Sequence, residues 1–138
     1  MPGTVNLPGH QIGPNSRTKL AKSVWFNLDN GSGTTIDDVI LTPTKDITIL
    51  SARIVYVDAT SGTVAAGNAK LGTTVGGAEI VAATAYENSK TVGSYTDLVL
   101  VDALVPANSP VCVRHTGVAA TAAGQAFVQI EYVYNKNL

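Results

Sequence analysis

The segment Gln125-Ala126-Phe127-Val128-Gln129-Ile130-Glu131-Tyr132-Val133-Tyr134 carries the clearest structural pattern in this sequence of 138 residues. Every second position is apolar or aromatic: Ala126, Val128, Ile130, Tyr132 and Tyr134. Between them, Gln125, Gln129 and Glu131 would face the other way. A period of two is that of a β-strand. The segment therefore predicts a strand with one face in the core.

Other short runs of the same character precede it. The run 47–57 is apolar on both faces and predicts a central strand, with a bulge near Ser51. In the run 23–28, we expect Val24, Phe26 and Leu28 to share an apolar face and Trp25 to point the other way. Turn residues bound the remaining predicted strands, which are 35–42, 69–74, 78–84, 97–101 and 110–116.

The number and spacing of these runs define a fold class. About eight or nine short strands fit in the chain, and no long window has the apolar spacing of an amphipathic helix. Such a pattern in one small domain predicts an all-β fold, an antiparallel β-sandwich or jelly-roll-like single domain. A partly open barrel is the alternative.

The first nineteen residues differ from the rest. They contain Pro2, Pro8 and Pro14 and show neither strand nor helix periodicity. We expect an extended N-terminal arm over 1–19 and the β-sandwich domain over 20–138, since spaced prolines favour extended backbone. A terminus without fixed contacts is the alternative. The candidate contacts of the arm with a neighbouring subunit or a larger assembly are Val5, Leu7, Pro8, His10, Ile12 and Arg17.

Composition excludes several classes of protein. The formal net charge is -1, which provides no basic field for nucleic acid or a membrane surface. Cys112 is the single cysteine, so a disulfide scaffold is excluded, and no signal peptide pattern is present. Only 14% of the residues are charged although 45% are hydrophobic. Either Thr, Ser, Asn and Ala carry the surface, or other proteins cover part of it.

Candidate catalytic and ligand-binding residues give weak patterns. Cys112 and His115 resemble a thiol–imidazole pair, but three positions apart on a strand they would face opposite sides. The segment 29–33 resembles a calcium loop, but glycines occupy alternate ligand positions, so a turn is favoured. Asp37 and Asp38 would also diverge. We therefore expect no enzymatic activity, no cofactor and no metal site.

The aromatic residues allow two interpretations. Trp25, Tyr56, Tyr86 and Tyr95 could form a platform for a sugar, but aromatic residues in strands more often lie in a core or an interface. Trp25 is accordingly a candidate interface aromatic residue. The basic residues Arg17, Lys19 and Lys22 cluster where the arm meets the domain and could pair with an acidic partner surface, unless they form an ordinary solvated face.

Parts of the sequence resemble a known family. The segment Ile49-Leu50-Ser51-Ala52-Arg53-Ile54-Val55-Tyr56-Val57, the segment from Ala69 to Ile80 and the segment Val113-Arg114-His115-Thr116-Gly117 are similar to small virion proteins of tailed bacteriophages, in particular head decoration (cement) proteins. The resemblance lies in Gly-Thr-Thr hairpins within a β domain rich in Val and Ala. It implies a β-sandwich or β-tulip core that binds the outside of a capsid as a trimer, often through an N-terminal arm.

These observations lead to one main functional hypothesis. We expect a structural virion protein that binds the outer capsid surface as a homo-oligomer, with a trimer favoured, and stabilises the shell. Its partner would be the major capsid protein, and the chain would be made in the host cytoplasm. The alternative is a phage fibre or tail module, or a receptor-binding β-sandwich that recognises glycans. A small hydrolase would require a reactive Cys112.

Overall fold

The computed structural model describes residues 18–135. This part of the chain contains ten β-strands and one short 3-10 turn, joined by loops. The strands are β1 Lys19–Lys22, β2 Phe26–Asn27, β3 Thr35–Leu41, β4 Ile47–Ser61, β5 Asn68–Gly72, β6 Val81–Ala85, β7 Tyr95–Leu98, β8 Leu104–Val105, β9 Val111–Thr116 and β10 Ala123–Tyr134. The 3-10 turn, Val64–Ala66, lies between β4 and β5.

The strands form two sheets in which the paired strands are antiparallel. In the first sheet, β10 pairs with β4 on one side and with β1 and β2 on the other. The far side of β4 pairs with β7 and β8. The second sheet has the order β3-β9-β5-β6. Two packed sheets confirm the predicted all-β sandwich.

The long strands β4 and β10 supply the first sheet's half of the core. Ala126, Val128 and Ile130 on β10 are buried, as are Ile54 and Tyr56 on β4, which confirms the period of two in the closing segment. The predicted bulge is also present. Glu131 pairs with Ser51 and Tyr132 with Ile49, which leaves Leu50 as the extra residue.

The predicted runs 23–28 and 97–101 are strands over only part of their length, and β1 was not predicted. In the run 23–28 only Phe26–Asn27 is a strand, and Val24 is exposed although Phe26 and Leu28 are buried, so the predicted common face was wrong. The run 97–101 leaves the first sheet after Leu98. Finally, β1 begins at Lys19, the last residue of the predicted arm, and pairs with β10.

Candidate functional site

Trp25 lies in an irregular stretch between β1 and β2. On either side of the stretch the chain pairs with β10, and Ser23 bridges the gap because its amide donates to the Val128 carbonyl at 2.9 Å. The Val128 amide donates in turn to Ser23 Oγ at 3.0 Å, so a hydroxyl takes the place of a main-chain acceptor. The interruption places Val24 and Trp25 at the surface.

Together with Leu20, these two residues form an apolar surface that we call the β1 edge surface. Leu20, Val24 and Trp25 are 53 to 62% exposed. Beside them, Leu20, Ala21, Lys22 and Gln129 line a shallow depression of about 170 Å³. The Val24 amide donates to the carboxylate of Asp38 at 2.9 Å, which ties this edge to β3 of the second sheet. The result is an apolar surface on a fixed backbone.

A second apolar surface lies at the opposite edge of the first sheet. Leu98 pairs with Ala52 and Leu104 pairs with Thr48, so the segment between them loops away from β4. We call Leu50, Val99, Val101 and Leu104, which are 48 to 79% exposed, the β7–β8 edge surface.

Main-chain hydrogen bonds fix this segment to both sheets. The Val101 amide donates to the Ile80 carbonyl at 2.7 Å, and the Ile49 amide donates to the Ala103 carbonyl at 2.8 Å. The Asp102 carboxylate accepts from the Leu104 amide at 3.0 Å. The exposed valines are therefore presented by an anchored segment.

Polar contacts occupy the strands between the two edges. The guanidinium carbon of Arg53 lies 4.2 Å from the centre of the Tyr95 ring, and its Nε lies 3.9 Å from the Asp97 carboxylate. Ser51 Oγ donates to Glu131 Oε1 at 2.7 Å. The two apolar surfaces are therefore separated by polar side chains that contact one another at the surface.

The second sheet carries an ion pair. Arg114 donates from Nε and Nη2 to the two carboxylate oxygens of Asp37, at 2.7 and 2.9 Å. The hydrogen bond from Arg114 lowers the pKa of Asp37 below its ordinary value. Asp38, the neighbouring carboxylate, instead accepts from the Val24 amide. The two carboxylates thus have separate structural partners.

Cys112 and His115 lie on opposite sides of the second sheet, as the sequence spacing predicts. His115 is buried with Tyr86, Asn30 and Phe26 around it, and burial lowers the pKa of His115 to about 4. Cys112 pairs with Gly72, where the turn that contains Glu79 folds back. Burial raises the pKa of the Cys112 thiol. Neither group has the environment of an activated nucleophile and its base.

The four aromatic residues proposed as a sugar platform do not meet on one surface. Tyr56 and Tyr86 are fully buried. Tyr56 Oη lies 2.8 Å from Thr96 Oγ1, so it joins β4 to β7. Trp25 and Tyr95 are exposed at opposite edges of the first sheet, with β10 and β4 between them. Tyr56 and Tyr86 are therefore core residues, whereas Tyr95 and Trp25 lie at the surface.

The arm contacts Val5, Leu7, Pro8, His10, Ile12 and Arg17 lie outside the described residues. Within residues 18–135, no group of three or more His, Cys, Asp or Glu side chains is placed to hold a metal ion. In the same part of the chain, no helix is long and apolar enough to span a bilayer.

A second depression, of about 190 Å³, lies among Asp46, Leu104, Pro106 and their neighbours. Both depressions are smaller than the roughly 300 Å³ at which pockets for small molecules begin.

Trp25 was predicted from the sequence as a candidate interface residue, whereas the β7–β8 edge surface was not predicted. Val99 and Val101 follow Asp97 in an alternating pattern, which is the pattern of a strand with a buried face. In the structure, these two positions face solvent while Leu100 is partly buried against the core. Asp97 and Asp102, which flank the apolar residues on both sides, were the available signal for a surface segment.

The architecture defines the chain as an all-β sandwich of two antiparallel sheets with an apolar surface at each edge of the first sheet. A similar fold occurs in a chain of the cyanophage Pam1 capsid asymmetric unit. The TM-score is 0.61 and the identity 17%, and the alignment covers 96% of this chain and 94% of that chain. No protein family model and no curated protein matches the sequence. The likeness at this identity establishes a shared fold.

Proposed function

We propose that this chain is a structural virion protein that binds the outer surface of a bacteriophage capsid as a homo-oligomer and stabilises the shell. The observation that carries the proposal is the fold shared with a chain of the cyanophage Pam1 capsid asymmetric unit, over 96% of this chain. Since the alignment also covers 94% of that chain, the likeness extends over nearly the full length of both chains and is not limited to a single sheet.

The surface of the domain supports a role in assembly. Seven large aliphatic or aromatic side chains are exposed on the β1 and β7–β8 edge surfaces. Contiguous exposed apolar surface on a small domain marks a site of contact with other proteins. Only 14% of the residues are charged, and part of the uncharged surface lies at these two edges, where apolar side chains are exposed.

A capsid-binding role also assigns a partner to the arm. We expect Val5, Leu7, Pro8, His10, Ile12 and Arg17 to contact the major capsid protein or a neighbouring copy. Prolines restrict the backbone, so less conformational entropy is lost when a segment that contains them is ordered on a surface. The protein would act without catalysis, because Cys112 is buried and separated from His115 by the sheet.

The experiment that tests the proposal is attachment to capsids that lack this protein. The full chain is mixed with such capsids of the phage that encodes it, and binding is measured by co-sedimentation and by the capsid melting temperature. We expect saturable binding and a higher melting temperature. Deletion of residues 2–17 should abolish binding and leave the domain folded, since β1 begins only at Lys19. Unchanged binding would exclude the arm as the contact.

A matched variant keeps the length of the arm. In the full chain, Val5, Leu7 and Ile12 are replaced by serine, which removes apolar contacts and retains the prolines. Weakened binding by this variant would assign the contact to these side chains. If instead the full chain ignores capsids and binds a glycan array, the receptor-binding alternative is correct and the decoration role is wrong.

A further inference from the structure

We infer that copies of this chain associate head to tail, with the β1 edge surface of one copy packed against the β7–β8 edge surface of the next. This inference rests on the proposed homo-oligomer and names its interface. The occupant of each edge is a second copy of the same chain.

The position of the two surfaces gives the association its direction. The β1 edge lies beyond β10 and the β7–β8 edge lies beyond β4, at opposite sides of the first sheet. A contact between two different surfaces leaves one of each free on the resulting pair. Such a heterologous contact closes a ring when its rotation allows, and otherwise continues as an open filament. It therefore suits a cyclic oligomer better than a pair in which each copy uses the same surface.

Both surfaces present apolar side chains that can pack together. The β1 edge offers Trp25, Val24 and Leu20 beside the depression of about 170 Å³. The β7–β8 edge offers the exposed side chains Val99 and Val101 on an anchored segment. Aromatic and aliphatic side chains that meet in this way exclude water and contribute most of the binding free energy of an interface.

The charges around the surfaces are also complementary. Residues 18–28 contain Lys19 and Lys22, and the one carboxylate bonded to this edge, Asp38, is occupied by the Val24 amide. Residues 91–113 contain Asp97 and Asp102 and no lysine or arginine. The Asp97 side chain is 73% exposed, so its carboxylate can contact a second copy while it lies beside Arg53. Opposite charges at the rim favour the contact between unlike edges and disfavour contacts between like edges.

The backbone indicates that side chains, and not continued strand pairing, make this contact. The β1 edge is interrupted at Ser23, and its exposed Val24 amide already donates to Asp38. At the other edge, residues 99–102 leave the line of β4. Irregular edges of this kind prevent open-ended pairing of sheets. The association is thereby limited to the complementary side-chain surfaces.

A mixing experiment tests the inference on the purified full chain without capsids. The first variant combines Leu20→Asp and Trp25→Ser, and the second combines Val99→Lys and Val101→Lys. Light scattering should give the wild type a mass of two or more copies and each variant the mass of one. An equimolar mixture of the variants should give a dimer, because each variant retains the edge that the other lacks. The control Val75→Lys changes an equally exposed side chain on a turn of the second sheet and should keep the wild-type mass.

Three results would overturn the inference: a monomeric wild type, an edge variant that keeps the wild-type mass, or a mixture that stays monomeric while both variants melt as the wild type does. Capsid binding is measured separately. If the wild type binds capsids but the mixture stays monomeric, the head-to-tail interface is wrong and the proposed function stands. If the mixture dimerises and the wild type does not bind capsids, the head-to-tail interface is correct and the proposed function is wrong.

Discussion

The hydroxyl oxygen of Tyr86 lies 2.6 Å from Nδ1 of His115, in the core between the two sheets. On the other side of the ring, Nε2 of His115 lies 3.0 Å from the amide oxygen of Asn30. Because an amide oxygen only accepts, Nε2 carries the proton and Nδ1 accepts from the Tyr86 hydroxyl. The neutral imidazole thus has both nitrogen atoms paired, and it stacks on Phe26 with ring centres 5.1 Å apart.

The first prediction is a loss of stability on acidification. Burial lowers the pKa of His115 from 6.5 to about 4. Between these values the unfolded chain binds a proton that the folded chain does not. As the pH falls from 6.5 to 4, the free energy of unfolding should therefore decrease by up to about 3 kcal/mol. Urea unfolding at a series of pH values, followed by tryptophan fluorescence, measures this decrease.

The control is His115→Gln, whose amide can still donate to Asn30 and accept from Tyr86 but does not titrate. Its stability should be lower than that of the wild type at pH 7 and should depend less on pH between 6.5 and 4. Other groups can also contribute to the pH dependence of stability, so the difference between the two proteins is the informative quantity. Equal pH dependence in both would show that His115 is not the source.

The second prediction separates two neighbouring aromatic residues. Phe26→Ala should destabilise the fold by about 3–5 kcal/mol, because the ring is buried and stacks on His115. In the Val99→Lys/Val101→Lys background, which keeps the chain monomeric, Trp25→Ala should change the free energy of unfolding by less than about 0.5 kcal/mol, because the indole is 60% exposed. Chemical unfolding followed by circular dichroism gives both values. A large loss in Trp25→Ala would place the indole in the core.

The sequence was sufficient to predict the strands whose side chains alternate between core and solvent. In β10, polar and apolar residues alternate because one face packs on the second sheet, and in β4 the bulge at Leu50 was visible near Ser51. The opposite faces of Cys112 and His115 followed from the same period. These features depend on local backbone geometry, which sequence periodicity reports directly.

The remaining features depend on contacts distant in the chain. Val24 has the spacing of a core residue but is exposed. Its neighbour Ser23 is hydrogen-bonded to Val128, 105 residues further along the chain, where the strand is interrupted. Likewise, β1 was not among the predicted strands, because four residues with two lysines form a strand only when β10 is beside them. The β7–β8 edge surface was missed because the chain alone does not reveal which strands have neighbours on both sides.

The third prediction concerns the reactivity of Cys112. The thiol is 3% exposed, and burial raises its pKa, so the native protein should react with iodoacetamide at least about 100-fold more slowly than the same protein in concentrated urea. Mass spectrometry of the alkylated fraction over time measures both rates. Rapid alkylation of the native protein would reopen the hypothesis of a hydrolase, and Cys112→Ala would then have to abolish any activity found.

The last prediction concerns the close approach of Gly117 to Asn30. A Cβ atom at position 117 would overlap the side-chain oxygen of Asn30, which is the oxygen that accepts from His115 Nε2. Gly117→Ala should therefore displace the Asn30 amide and destabilise the fold by about 1–3 kcal/mol. In an Asn30→Ala background, the overlapping atoms and the hydrogen bond are already absent, so the same substitution should cost much less. A double-mutant cycle from urea unfolding measures this coupling. Strictly additive losses would show that the cost arises from the backbone at Gly117 and not from its contact with Asn30.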